Sequence, residues 1–263
     1  MRGGLARAVG GGGRFEIVYG FLNSLRIGDA RVANVPVYLR EFHNAQEPVD
    51  GYIGLSVLAK FLASIDYGKR EMTLVRDDEP RVPQLPPATD QSAAAAAPTP
   101  EPLPAGVFEI PIRATSSGFW SSAVSVDGIQ KPLNFIVDTG ASISVVATAL
   151  TQREDMARFV QPTKLRVYGA AGVSEDVDLL LLPHISLGTY KHNYLSAAVL
   201  DMEPINETSG FEQTGIIGGN LLRYFRVTFD FQRAIVRLEL IANNPSAPAR
   251  DANIAPLPLP SVP

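Results

Sequence analysis

Along the second half of the chain, short apolar runs alternate with glycines, acids and small polar residues at the spacing of strands and turns. Phe108-Glu109-Ile110-Pro111-Ile112 has the two-residue period of a strand, and Trp120 to Val126 reads as another. Asp127-Gly128 between such runs predicts a hairpin leading into a further strand. That strand, Phe135-Ile136-Val137, is apolar throughout and stops abruptly at Asp138-Thr139-Gly140. A second β-branched run, Ile143-Ser144-Val145-Val146, follows, and Thr151 to Phe159 predicts a short helix. Lys164 to Tyr168, then Gly169-Ala170-Ala171-Gly172, then Ser174 to Leu182 predicts a hairpin with a small-residue tip. The pattern closes with Thr214-Gly215-Ile216-Ile217-Gly218-Gly219-Asn220-Leu221-Leu222, a short apolar run passing into a helix.

The first half carries the same order. Gly51-Tyr52-Ile53-Gly54-Leu55-Ser56-Val57-Leu58 lines up with Gly215 to Leu222 at an offset of 164, and Phe61, Asp66 and Leu74 line up with Phe225, Asp230 and Leu238. Upstream, Leu25-Arg26-Ile27-Gly28 matches Ile185-Ser186-Leu187-Gly188 at an offset of 160, which places an insertion around Glu203 to Glu212. Gly10 to Gly13 stands opposite the tip at Gly169 to Gly172. The first repeat therefore spans residues 1–78 and the second, complete one 106–242. Between them, 79–105 is a Pro/Ala-rich linker that cannot bury enough apolar area to offset its ordering entropy. The tail, 243–263, has the same character and is expected to be disordered.

Composition narrows the chemistry. The 263 residues are 46% hydrophobic, enough for packed cores. A net charge of −4 without a Lys/Arg cluster argues against nucleic acid and anionic membrane as partners. The absence of cysteine excludes disulfides, a thiol nucleophile and thiolate metal sites. His43, His184 and His192 show no metal-ligand spacing, so no metal is expected. No apolar run reaches the length of a membrane span, and the N-terminus has no signal-peptide core. Asn206-Glu207-Thr208 fits a glycosylation acceptor on a three-residue match alone.

A carboxylate at the end of a buried strand is costly unless its charge is shared or hydrogen-bonded, and Gly140 removes a side chain where another backbone or a ligand would approach. Asp138-Thr139-Gly140-Ala141, together with Thr214 to Leu222 about eighty residues on, resembles the two signatures of the retropepsin-like aspartic peptidases. The resemblance covers roughly Gly106 to Leu240 and implies an all-β fold, a retropepsin-like acid-protease barrel, here as two tandem lobes with one short helix each. It implies an aspartic endopeptidase without cofactor, acting on a polypeptide substrate. Asp138 would be a catalytic carboxylate, Thr139 and Gly140 its supports, and Ser142 a further candidate support. The tip Gly169, Ala170, Ala171, Gly172 would be a substrate-covering flap.

In one respect the chain departs from that family. The counterpart of Asp138 in the first repeat projects to a point before Met1, and neither Asp29, Asp50 nor Asp66 replaces it. The second carboxylate is then expected from an upstream segment, making an intramolecular pseudo-dimer, or from Asp138 of a second chain, making a homodimer. With one such turn per assembled unit, the same cleft would serve as a non-catalytic module that binds peptides or dimerises.

Overall fold

A computed structural model of the chain describes residues 4–10, 13–39, 49–76 and 103–241. The Pro/Ala-rich linker up to residue 102, the C-terminal tail from 242, and Gly11 and Gly12 lie outside the described residues. The N-terminal part runs β1 (Gly4–Gly10), β2 (Gly13–Ile27), β3 (Ala30–Leu39), α1 (Leu55–Leu58), β4 (Phe61–Asp66) and β5 (Glu71–Arg76). The C-terminal part opens with β6 (Val107–Pro111), β7 (Arg113–Ala114), β8 (Trp120–Val126), β9 (Leu133–Val137), β10 (Ser144–Ala147), α2 (Thr148–Thr151) and α3 (Glu154–Ala157). It continues with β11 (Val160–Gly169), β12 (Gly172–Leu187), β13 (Tyr190–Leu200), α4 (Glu203–Ser209), β14 (Gly215–Ile217), α5 (Gly219–Leu222), β15 (Phe225–Asp230) and β16 (Ile235–Leu240). The fold is all-β, its helices being one or two turns long.

Two local differences from the sequence reading have plain causes. Thr151 to Phe159 is not one helix but the end of α2 and the whole of α3, broken where Arg153 takes an extended conformation and caps the second turn. Asp127-Gly128 does turn the chain, with Ile129 N–H donating to the Val126 carbonyl, but the ladder to β9 begins only at the Val124↔Leu133 pair. The stretch read as an insertion holds α4.

Three sheets organise the described residues. β1, β2 and β3 form one. An eight-stranded sheet, β11-β12-β13-β10-β14-β9-β8-β7, curls so that β12 also pairs with β8. The third, β5-β4-β15-β16-β6, joins the two parts of the chain through antiparallel β4 and β15. In that pairing Ser64 lies opposite Thr228, and Thr228 Oγ1 donates to Ser64 Oγ at 2.9 Å across a separation of 164 residues. That separation equals the sequence offset, so these two hydroxyls stand on a local two-fold axis relating β4-β5 to β15-β16.

The main core fills the C-terminal barrel, with Phe135, Leu180, Leu182, Ile217, Leu221 and Phe225 essentially sealed from solvent. A smaller cluster under the β11-β12 hairpin brings Val145, Val177 and Ile216 onto Met202 and Ile205 at α4. His192 is buried in the main barrel, with its Nδ1 3.1 Å from Tyr190 Oη and its ring against Tyr224. Burial lowers its pKa from 6.5 to about 4. Because the folded value lies below the unfolded one, the stabilisation is complete above pH 6.5 and drains away as the pH falls towards 4. That interval corresponds to roughly 3 kcal/mol. Urea unfolding at neutral pH and at the lower limit is expected to show a loss of that order in the native protein, and a much flatter profile in His192→Phe.

Candidate active site

β9 is central, with β8 antiparallel on one edge and β14 parallel on the other, and both of its faces are covered, Phe135 by the main core and Ile136 by the smaller cluster. This explains a continuous apolar run rather than an alternating one. The β14 ladder extends one residue further, Asp138 N–H donating to the Ile217 carbonyl at 3.0 Å, and then the chain turns. Gly140 N–H donates to Asp138 Oδ1 at 2.8 Å, and a Cβ at Gly140 would lie 3.2 Å from that oxygen. Glycine thus keeps the carboxylate both bonded and open. Burial raises the Asp138 pKa above the usual carboxylate value, and the Gly140 and Ala141 N–H groups oppose that shift. The acid is therefore held closer to its protonated form than a surface aspartate.

The turn is locked from behind by the second motif. Gly219 N–H donates to the Ala141 carbonyl at 2.7 Å. Asn220 Oδ1 accepts from both Ser144 N–H and Ser144 Oγ at 2.8 Å, while Asn220 Nδ2 donates to the Ser196 carbonyl of β13 at 2.7 Å. Gly218 N–H completes the set by donating to Ser144 Oγ at 3.1 Å. One amide side chain therefore ties β10, β13 and α5 together behind the acid. Asn220→Ala would leave Ser144 N–H and the Ser144 O–H without their acceptor and take a donor from the Ser196 carbonyl, for an expected loss of about 2 kcal/mol. Thermal unfolding checks this, with Ser144→Ala costing less because its partners are fewer.

The structure brings Asp138, Thr139 and Gly140 to one loop, with Thr139 half-buried beside the acid. Ser142 is exposed, whereas the neighbouring Ser144 is fully buried and carries the bonds behind the loop. Gly169 and Gly172 close the β11-β12 hairpin as a directly opposed pair around Ala170-Ala171, and Gly172 has φ +132°. The β1-β2 hairpin repeats that geometry, with Gly10 opposite Gly13 and φ +128° at Gly13. A Cβ at Gly13 would lie 3.9 Å from the Ala171 Cβ, so the two tips lie side by side. β1 and β2 also pack against α4, where Arg14 pairs with Glu207.

Sequence reasoning overlooked Ser144 and Asn220 as a bonded pair, and it overlooked Tyr67. This residue lies in the turn after β4 and packs against the C-terminal core. Burial and, second to it, the charge of Asp138 raise the pKa of its phenol. The N-terminal part thus contributes a hydroxyl-bearing side chain to the surroundings of Asp138. Among the described residues no group of three or more His, Asp or Glu could hold a metal ion, and no helix is long and apolar enough to cross a membrane.

Residues 122–221, which contain the first motif and the second up to Leu221, match the model of a family described as aspartyl protease. Among solved structures, the chain is similar to a retropepsin-like aspartic protease from Rickettsia conorii, with 18% identity and a TM-score of 0.37 over 51% of this chain and 92% of that one. It is also similar to basic 7S globulin from soybean, with 12% identity and a TM-score of 0.25 over 51% of this chain and 42% of that one. No curated protein sequence matches it.

Proposed function

We propose that this chain, whose residues 122–221 match the model of an aspartyl protease family, supplies one half of the active site of an aspartic endopeptidase. The observation that carries the reading is the setting of Asp138: an acid at the end of a strand buried on both faces, its pKa raised by burial, its Oδ1 held by Gly140 N–H. Two carboxylates about 3 Å apart cannot both ionise, so they share one proton. One takes a proton from a water as that water attacks the scissile carbonyl, and the other donates to the carbonyl oxygen. The apparent pKa values then belong to the pair.

In this reading Asp138 is one member of the pair. Thr139 bonds across to the opposing loop, and the Gly140 backbone faces the substrate. Ser142 sits at the rim, and Gly169, Ala170, Ala171 and Gly172 form the tip that closes over an extended polypeptide. The second carboxylate comes from a segment that completes the N-terminal lobe or from a second chain. A different reading, a module that binds peptides without cleaving them, is favoured by one observation: the 263 residues contain a single Asp-Thr-Gly turn.

The test is hydrolysis of an unfolded polypeptide from acid to neutral pH, at several protein concentrations, against Asp138→Asn. Hydrolysis that disappears in the variant supports the peptidase reading, and a rate rising faster than concentration assigns the second acid to another copy. Binding of the polypeptide without cleavage, once both carboxylates are present, would favour the binding module instead.

A further inference from the structure

Several positions related by the repeat offsets are buried in both parts of the chain, as Val57 and Leu221 or Phe61 and Phe225 are, but others have opposite environments. Ile217 of β14 is fully buried, but its counterpart Ile53 is 44% exposed. Val236 of β16 is 1% exposed and Met72 of β5 is 40%; Ala198 of β13 is sealed and Tyr38 of β3 is 66% exposed. At each of these C-terminal positions one stretch supplies a neighbouring strand. β9 and β10 flank β14, β6 pairs with β16 at Val236↔Ile110, and β10 pairs with β13 at Val145↔Ala198. The glycines agree: a Cβ at Gly215 would lie 2.4 Å from both Phe135 Cε1 and the Val145 carbonyl oxygen, whereas one at Gly51 meets nothing within 4 Å. Among the described residues, the N-terminal part is thus bare at Ile53, Met72, Tyr38 and Gly51, where strands from residues 107–147 run beside the C-terminal counterparts.

We propose that this face is the docking surface for a polypeptide segment built as residues 107–147 are built, with apolar strands bracketing an acidic turn. Its first strand would pair with the outer edge of β5, where the described residues place no strand, extending the five-stranded sheet evenly about the Ser64–Thr228 axis. Its central strands would run past Ile53 and Gly51, as β9 and β10 run past Ile217 and Gly215. The acidic turn would then face Asp138 across that axis. A second copy of this chain does not fit the role, because β4 already occupies the edge of β15 and residues 107–147 of any copy are committed to its own β13, β14 and β16. The docking rests on the strand architecture, and only its catalytic consequence rests on the peptidase reading above.

The experiment places a duplicate of residues 103–163 directly ahead of Gly4, in the order that 103–163 precede 164 in this chain, and follows amide exchange at Ile53 and in β5. The expected result is a slowing on the order of 10²-fold or more relative to the native chain. Gly51→Ala should leave the melting temperature of the native chain unchanged yet abolish the slowing in the extended one. The same segment added as a separate polypeptide to the full native chain should bind one to one and fail to bind Gly51→Ala, which covers the case of a fusion that does not fold. Asp→Asn in the duplicated acidic turn should retain the slowing and remove hydrolysis, so slowing without any hydrolysis would sustain the docking and sink the peptidase reading. Two results overturn the docking: exchange unchanged in a folded, extended chain that also fails to bind the separate segment, or amides already slow in the native chain, whose own residues or second copy would then cover the face.

Discussion

Asp138→Asn is expected to remove hydrolysis and, at neutral pH, to raise the melting temperature. The first effect follows if Asp138 is one of the two proton-sharing acids: the amide cannot accept the proton of the attacking water, and turnover in the assembly holding both carboxylates should fall about 10³-fold or more. The second follows from the fold. Burial raises the Asp138 pKa in the native state above its unfolded value, so the unfolded chain releases the proton more readily. The resulting destabilisation is absent below the unfolded carboxylate pKa, grows as the pH rises through the folded one, and persists above it. Asparagine cannot ionise, and its Oδ1 still accepts from Gly140 N–H. The melting temperature of the variant should therefore exceed that of the native protein at neutral pH, and the difference should close in acid. A variant that lost activity but melted lower at neutral pH would mean that Asp138 is a stabilising ion, contrary to its placement at the end of β9.

What the sequence made legible depended on local pattern. Phe135-Ile136-Val137 is uniformly apolar because β9 packs one face on the main core and the other on the smaller cluster, and Asp138 follows where that run ends. The two glycine-bounded hairpin tips were visible because a tight turn requires small residues wherever it lies. What stayed hidden depends on distance along the chain. Ser142 and Ser144 are both hydroxyls in the same run, and only the approach of Asn220, 76 residues on, makes Ser144 the buried partner. Tyr67 is unremarkable beside its counterpart Phe231 until β4 pairs with β15 and carries it towards Asp138. The closeness of the hairpin tips and the Arg14–Glu207 pair likewise exist only once the two parts of the chain meet.

The sharpest comparison lies between two glycines at the same place in the two halves. Gly218 and Gly54 precede α5 and α1 with nearly the same extended backbone, φ −107° and −93°, which alanine adopts without strain. They differ only in surroundings. A Cβ at Gly218 would lie 2.6 Å from the Ile143 carbonyl oxygen, 2.7 Å from its carbon and 3.0 Å from the Ala141 oxygen, whereas at Gly54 nothing lies within 4 Å. The obstacles at Gly218 are all backbone of the loop that carries Asp138, so no side chain can rotate out of the way. Gly218→Ala should cost on the order of 4 kcal/mol, at the upper end for overpacking, and displace the Ala141 carbonyl from Gly219 N–H. Gly54→Ala should change stability by less than about 1 kcal/mol, with a small gain from the stiffer unfolded chain. Denaturant unfolding of the two variants measures this contrast directly. An equal loss at Gly54 would mean that the N-terminal face is already filled and would count against the docked segment proposed for it.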